Sequence, residues 1–420
     1  MQLGSALHEW RASHENLASE DNQANAMAFD RRTFLGASAL TGLAMFSNDV
    51  AQADGQRPIA RRNALPGESK KAWAKMQLRG GESFVMPSMQ PDMKALDEEG
   101  IRRDVRHAIA QNFCSIMPLT LGIDAETDGR FQAIVAEEAK GKILTVGVIR
   151  AGKRQENIAR VRLLEGQGIS HALMYFPPLA SQDEIYREMH AIIETTSLGI
   201  ILYASPSPSV AKLDPTGLPL EAFDRLAGLD NVIGVKFTQE LRPATAYSVA
   251  ERLGERLLLG VVDLELMLLL SMKYSMQWTG QWAIDSLQSP ATPWVSEYLE
   301  LLRTGNGKAA HDLYWRYEPI ASGFYALQAP SLSIGGHPWI HIKYMKWLTG
   351  GNGGLLPNLH ATPESIPHLD AAGRAQCREL FARVGINTVS LPDDAFIVGN
   401  AAYERGVRPR DLTERPQYIR

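Results

Sequence analysis

From about Glu82 onward, short β-branched or apolar runs alternate with amphipathic stretches, and this alternation constrains the fold more than any other property of the chain. The runs are Ser83–Met86, Ser115–Leu119, Ile143–Val148, His171–Tyr175, Gly199–Tyr203, Val232–Lys236, Leu257–Val261 and Ser275–Gly280. Between them, Glu99–Asn112, Phe131–Ala139, Gln155–Gln167, Gln182–Thr195, Pro219–Ala227 and Pro243–Leu253 space their apolar residues three or four apart, as helices do. Strands alternating with helices imply parallel βαβ units. Eight runs favour closure into a (β/α)8 TIM barrel over an open doubly wound sheet, and no Gly-rich phosphate fingerprint follows the first run.

Beyond the eighth run the pattern is helical only. Pro293–Arg303, Lys308–Leu327, His341–Leu348 and Asp370–Val384 predict a C-terminal helical extension. The expected plan is a signal region over 1–53, a linker over 54–80, the barrel over 81–290, a helical cap over 291–386 and a tail over 387–420. The tail has no clear period and is expected to be a surface arm or partner contact. Gly350–Gly354 lacks the Lys-Ser/Thr of a phosphate loop and reads as a flexible turn.

The signal reading rests on Asp30-Arg31-Arg32-Thr33-Phe34-Leu35-Gly36, the weakly apolar stretch Ala37–Ser47 and the small-x-small step Ala51-Gln52-Ala53. Paired arginines, a modest apolar segment and small residues that fit a peptidase resemble a twin-arginine export signal, which predicts a periplasmic protein. An amphipathic leader or an ordinary helix N-terminus is the alternative, and Met27 offers a second start.

Several partner classes are disfavoured. A formal net charge of −4 lacks the basic footprint of a nucleic-acid binder. No apolar run approaches the length of a membrane span, so no membrane association is expected after export. Cys114 and Cys377 form no CxxC pair and suit buried thiols. His337 and His341 are four apart, but Pro338 intervenes and no carboxylate completes a metal set, so an incidental pair is favoured. Glu98-Glu99 and Glu137-Glu138 read as solvated helix faces.

In a (β/α)8 barrel the catalytic groups sit at the C-terminal ends of strands. The sixth run, Val232-Ile233-Gly234-Val235-Lys236, closes an apolar strand with a lysine. Burying an ammonium is costly, and the resulting drop in pKa frees an amine that can attack a carbonyl. The fifth run ends on Tyr203, whose hydroxyl could relay protons. The pattern alone equally allows Lys236 to snorkel or pair with a carboxylate while Tyr203 packs in the core.

Across roughly residues 83–386 the chain resembles the dihydrodipicolinate synthase/N-acetylneuraminate lyase family of class I aldolase-type enzymes. The resemblance is carried by Leu202-Tyr203-Ala204-Ser205-Pro206, Gly234-Val235-Lys236, Phe176-Pro177-Pro178, Gly260 and the segment around Ile342-Lys343-Tyr344, in the family's order. It implies a Schiff-base lyase, either an aldolase or a hydro-lyase, with Lys236 as imine lysine and Tyr203 as proton relay. It also implies a small-molecule keto-acid or aldehyde substrate, no metal or organic cofactor, and a homodimer or homotetramer.

The chain departs from the family pattern in three places. The Gly-Thr-Thr-Gly-Glu-like turn that holds the substrate carboxylate reads Leu119-Thr120-Leu121-Gly122-Ile123-Asp124, leaving Thr120 as its one hydroxyl. Pro178-Leu179-Ala180 offers no aromatic hydroxyl, and Ser207-Pro208-Ser209 stands where an arginine is common. These losses argue against the lysine-biosynthetic synthase. Thr120, Gly260, Arg150 and Gln281 remain candidates for substrate binding. Gln277, Trp278 and Trp282 are further groups expected near the barrel mouth. The alternative is a catalytically lapsed periplasmic barrel that binds a small acid or sugar.

Overall fold

The computed structural model describes residues 61–238, 242–281, 283–332, 337–362 and 367–419. The expected signal region and Trp282 lie outside the described residues.

Eight parallel strands close into a barrel in sequence order, with β8 returning to β1. They are β1 (Gly80–Val85), β2 (Ser115–Pro118), β3 (Leu144–Ile149), β4 (His171–Met174), β5 (Gly199–Ala204), β6 (Val232–Phe237), β7 (Leu258–Gly260) and β8 (Trp278–Thr279). A helix α1 (Lys70–Gln77) precedes β1. The connections carry α2 (Glu98–Ala110), α3 (Ala125–Ala139), α4 (Arg154–Gly166), α5 (Gln182–Ile193), α6 (Leu220–Leu226), α7 (Pro243–Leu253) and α8 (Leu264–Leu270). The (β/α)8 barrel expected from the alternation is therefore the fold. Helix α3 starts earlier than its apolar period suggests, because the Asp124 side chain accepts the Thr127 amide and caps it.

Strand residues alternate between two apolar shells. Phe84, Met117, Val146, Leu173, Ile201, Ile233, Leu258 and Trp278 fill the barrel interior. Val85, Ile116, Ile149, Ala172, Leu202 and Val235 face the surrounding helices. Burial on both faces is what makes these strands read as near-continuous apolar runs.

Helix α1 lies within the stretch expected to be linker. Ser69 caps it and also bonds Asp230, and fully buried Trp73 meets the His171 ring edge-on at 6.1 Å. Gln277 donates to the carbonyls of Lys75 and Leu78, so it secures α1 across the N-terminal end of the barrel rather than standing at the mouth.

The C-terminal extension comprises α9 (Trp294–Arg303), α10 (Gly307–Leu332), α11 (Trp339–Leu348) and α12 (Ala371–Arg383). Helix α11 is fixed to the end of β1: Lys346 donates to the Phe84 carbonyl at 2.6 Å, and Lys343 donates to the Pro87 carbonyl and the Ser88 hydroxyl, each at 2.9 Å. The tail is not a surface arm. It forms α13 (Asp393–Val398) and α14 (Asn400–Glu404), and Phe396, Ile397 and Tyr418 are buried. These helices are too short for a period to show in the sequence. Gly351–Gly354 is likewise a packed joint rather than a free turn. At Gly353, with φ of 72°, a Cβ would stand 2.8 Å from the Phe396 carbonyl oxygen, and buried Asn352 bonds Asp104 and Ala401.

Among the described residues no helix is long and apolar enough to cross a membrane. The thiols of Cys114 and Cys377 are buried and free. Glu98, Glu99, Glu137 and Glu138 pair with Arg102, Arg106 and Arg130 on the faces of α2 and α3.

Candidate active site

Lys236 reaches the barrel interior through a register shift. Ile200 pairs with Val232 but Ile201 pairs with Gly234, so β6 carries an extra residue at Ile233. Val232 faces the helices and Ile233 the interior. Beyond the bulge the phase is reversed, which brings Lys236 level with Tyr203 on the inner face. Gly234 suits this point, since a Cβ there would stand 3.1 Å from the Leu258 carbonyl oxygen.

The Lys236 ammonium is buried, 4.9 Å above the Phe84 ring. Its Nζ lies 3.7 Å from Glu82 Oε1, an ion-pair distance longer than a hydrogen bond. Burial lowers the lysine pKa, and the neighbouring carboxylate pulls it part of the way back. Glu82 is itself buried: Ser115 donates to its Oε2 at 3.3 Å, and His171 Nε2 lies 3.8 Å from the same oxygen. Gly280 makes room for the pair. A Cβ there would fall 2.9 Å from Glu82 Oε1 and 3.0 Å from Lys236 Nζ.

Tyr203 is half-buried on β5, and its ring meets that of Tyr175 at 4.6 Å and 60°. Burial raises the Tyr175 hydroxyl above its ordinary pKa, while the charge of Arg150 opposes the shift. Arg150 thus stands near the aromatic pair at an exposed rim position. The geometry brings Lys236, Tyr203 and Gly260 together as register neighbours on β5, β6 and β7, with Tyr175 beside them.

The remaining candidates serve other ends. The Thr120 hydroxyl donates to Asp128 at 3.0 Å; the backbone turns there through Leu121 (φ 38°) and Gly122 (φ 81°). Thr120 lines a cavity of about 340 Å³ beside β3 with Gln132, Arg150 and Arg160, and Lys236 is not among its lining residues. Gly260 accommodates the Trp278 ring, which a Cβ would meet at 2.0 Å, so Trp278 packs in the interior instead of facing the mouth. Gln281 is buried and spent on the Tyr325 hydroxyl and the Ala283 amide. In the stretch that lacks the arginine, the Ser207 and Ser209 hydroxyls bond each other at 2.8 Å. His341 is buried and His337 stacks on Trp339; among the described residues no cluster of three ligating side chains is poised for a metal.

Glu82 and Tyr175 did not emerge from the sequence as site residues. The signal for Glu82 was a lone acid one residue ahead of an apolar run. For Tyr175 it was an aromatic hydroxyl closing the fourth run, as Tyr203 closes the fifth.

The profile of the dihydrodipicolinate synthetase family matches residues 82–300, just over half of the chain. The chain belongs to that family. The matched segment begins at Glu82 and holds Tyr203 and Lys236, so the family's core coincides with the barrel. A curated relative, the 4-hydroxy-tetrahydrodipicolinate synthase of Hyphomonas neptunium, is 27% identical over 149 residues, which are 34% of this chain and 49% of the relative. The chain thus spans about half the length of the curated relative it matches. Among solved structures, N-acetylneuraminate lyase from Fusobacterium nucleatum superposes with a TM-score of 0.57 at 18% identity, covering 73% of this chain and 99% of that one. The 4-hydroxy-tetrahydrodipicolinate synthase of Methylacidiphilum fumariolicum gives 0.55 at 17%, covering 73% and 96%. At these identities the likeness is one of fold, and family membership rests on the profile.

Proposed function

We propose that this family member is a Schiff-base-forming lyase, an aldolase or hydro-lyase, in which Lys236 is the nucleophile and Tyr203 the proton relay. The observation that carries the reading is a buried lysine of lowered pKa, turned into the barrel beside a tyrosine by a strand bulge. The neutral amine adds to a substrate carbonyl, and loss of water leaves a protonated imine. That imine withdraws electrons and stabilises a carbanion at the neighbouring carbon, which is the step common to aldol cleavage and dehydration. Tyr203, the register neighbour of Lys236, moves protons to and from the carbonyl oxygen in this reading.

We assign the substrate to carbonyl compounds other than that of the lysine-biosynthetic synthase. Support comes from Thr120, whose hydroxyl is committed to Asp128, and from the serine pair in the place of the arginine. Export by a twin-arginine signal and assembly into a homodimer or homotetramer belong to the same proposal. Fusing residues 1–53 to a reporter tests the first and light scattering the second.

Borohydride reduction in the presence of carbonyl compounds should attach them to Lys236, and Lys236→Ala should abolish the adduct. Absence of any adduct with a carbonyl that demonstrably binds would refute the lyase. Ligand binding that survives Lys236→Ala without turnover would favour a lapsed binding barrel, the reading to which the lost carboxylate grip points.

A further inference from the structure

Inside the barrel, an acid and the imine lysine share one buried site. Glu82 reaches Lys236 from β1, its Oε1 makes no hydrogen bond among the described residues, and the missing side chain of Gly280 leaves space for the contact. The other groups at this carboxylate are the Ser115 hydroxyl, which donates to Oε2, and the ring of His171, whose Nδ1 is hydrogen-bonded to Ser170. The Cys114 thiol, just before β2, lies 3.7 Å from the Ser115 hydroxyl, and the Phe84 ring lies under the Lys236 ammonium.

We propose that Glu82 is the resident counterion of the Lys236 imine, and that it selects carbonyl substrates with no carboxylate on the reacting carbon, the class of aldehydes and simple ketones. This deepens the Schiff-base reading and rests on it.

The charge balance makes the argument. An ammonium and a neutral carbonyl become a protonated imine and one water. The lysine nitrogen forms the new C=N bond, the carbonyl oxygen leaves as water, and one positive charge is present before and after. Glu82 therefore faces one cation in the resting pair and one in the imine pair, and both of these buried pairs are neutral. An α-keto acid would add its own carboxylate next to the imine carbon, leaving two anions against one cation in a medium that screens poorly. The turn that would hold such a carboxylate offers only Thr120, already bonded to Asp128. An acidic group farther along the substrate meets no such conflict, since it lies away from Glu82 and Arg150 stands near the Tyr175–Tyr203 pair.

The test compares pyruvate with methyl pyruvate, which presents the same ketone without the charge, and adds acetaldehyde. Each is trapped on the full-length protein with borohydride, and the label on Lys236 is counted by mass spectrometry. The wild-type protein should trap the ester and the aldehyde over the acid. Its ester-to-acid ratio should fall at least tenfold in Glu82→Gln and survive in Glu82→Asp, which keeps the charge. A ratio unchanged in Glu82→Gln, or a wild-type preference for pyruvate, would overturn the proposal. Should Glu82→Gln not fold, the wild-type order of the three carbonyls decides alone. Failure of all three to label Lys236, with binding of at least one shown by calorimetry, would instead remove the Schiff base itself, a result distinct from a wrong preference among labels.

Discussion

Two buried lysine–carboxylate pairs flank Phe84, and they are built differently. Lys346 Nζ meets Asp285 Oδ2 at 2.9 Å and also donates to the Phe84 carbonyl. The same Asp285 oxygen accepts from the Ser83 hydroxyl at 2.9 Å and the Phe84 amide at 3.0 Å. On the inner side of the strand, Lys236 and Glu82 stand 3.7 Å apart; each carboxylate keeps one oxygen with no hydrogen bond among the described residues, Glu82 Oε1 and Asp285 Oδ1, so the two pairs differ at the ammonium. The first pair holds the backbone of β1 to α11. The second holds its amine more loosely, as the proposed imine chemistry requires. Burial is common to both; the proposed division into a structural and a reactive pair rests on how closely each ammonium is held, at hydrogen-bond distance for Lys346 and beyond it for Lys236.

The largest contrast should come from the lysines themselves. Lys236→Ala should reduce borohydride-trapped adduct and turnover to background, whereas the Lys346–Asp285 pair should matter to folding. Tyr203→Phe should slow imine formation by about 10²–10⁴-fold, the usual span for a positioned proton-transfer group. A stopped-flow measurement that found no slowing would remove Tyr203 from the relay and leave Tyr175, its ring neighbour, as the hydroxyl to examine.

Asp285→Asn comes next. It leaves Lys346 charged and buried without its carboxylate, and breaking such a pair costs about 3–5 kcal/mol. Urea unfolding should record that loss, while the folded fraction still labels at Lys236. A loss below about 1 kcal/mol would break the comparison, because the two pairs would then differ in geometry but not in consequence.

Much of the barrel was legible because its strands are buried on both faces and so appear as apolar runs. The lysine of β6 stood out as a charge in such a run. Its direction did not. Strict alternation from Val232, which faces the helices, would aim Lys236 at the helices as well, and only the extra residue at Ile233 turns it inward. Glu82 was missed because the expected strand began at Ser83, and the glycines at 80 and 81 discourage a strand that in fact spans them. Gln277 looked like a mouth residue because the eighth run was expected over Ser275–Gly280. The strand is Trp278–Thr279, which puts Gln277 at its entry. Helix α1 escaped notice because its basic residues hide a stripe as narrow as Trp73 and Ala74.

A third buried lysine sharpens the comparison with the smallest expected effect. Lys343 lies one turn before Lys346 on α11, and its Nζ bonds only neutral acceptors, the Pro87 carbonyl and the Ser88 hydroxyl. Burial lowers its pKa to about 8. Asp104 and Asp97 oppose the shift, and Lys346 adds to it. The folded pKa therefore lies below the value of about 10.5 expected when unfolded. Between those values the unfolded chain binds a proton that the folded one does not, so this lysine makes stability rise with pH from about 8 to about 10.5. Below that window both states are protonated and the cost of burying the charge is felt in full. Lys343→Met should abolish the rise: subtracting its unfolding free energies in urea from those of the wild type should give a difference that grows in the wild type's favour across the window, by a few kcal/mol at most. Parallel curves would mean that Asp97 and Asp104 neutralise Lys343, which would place it with the satisfied pair at Lys346 rather than between the two.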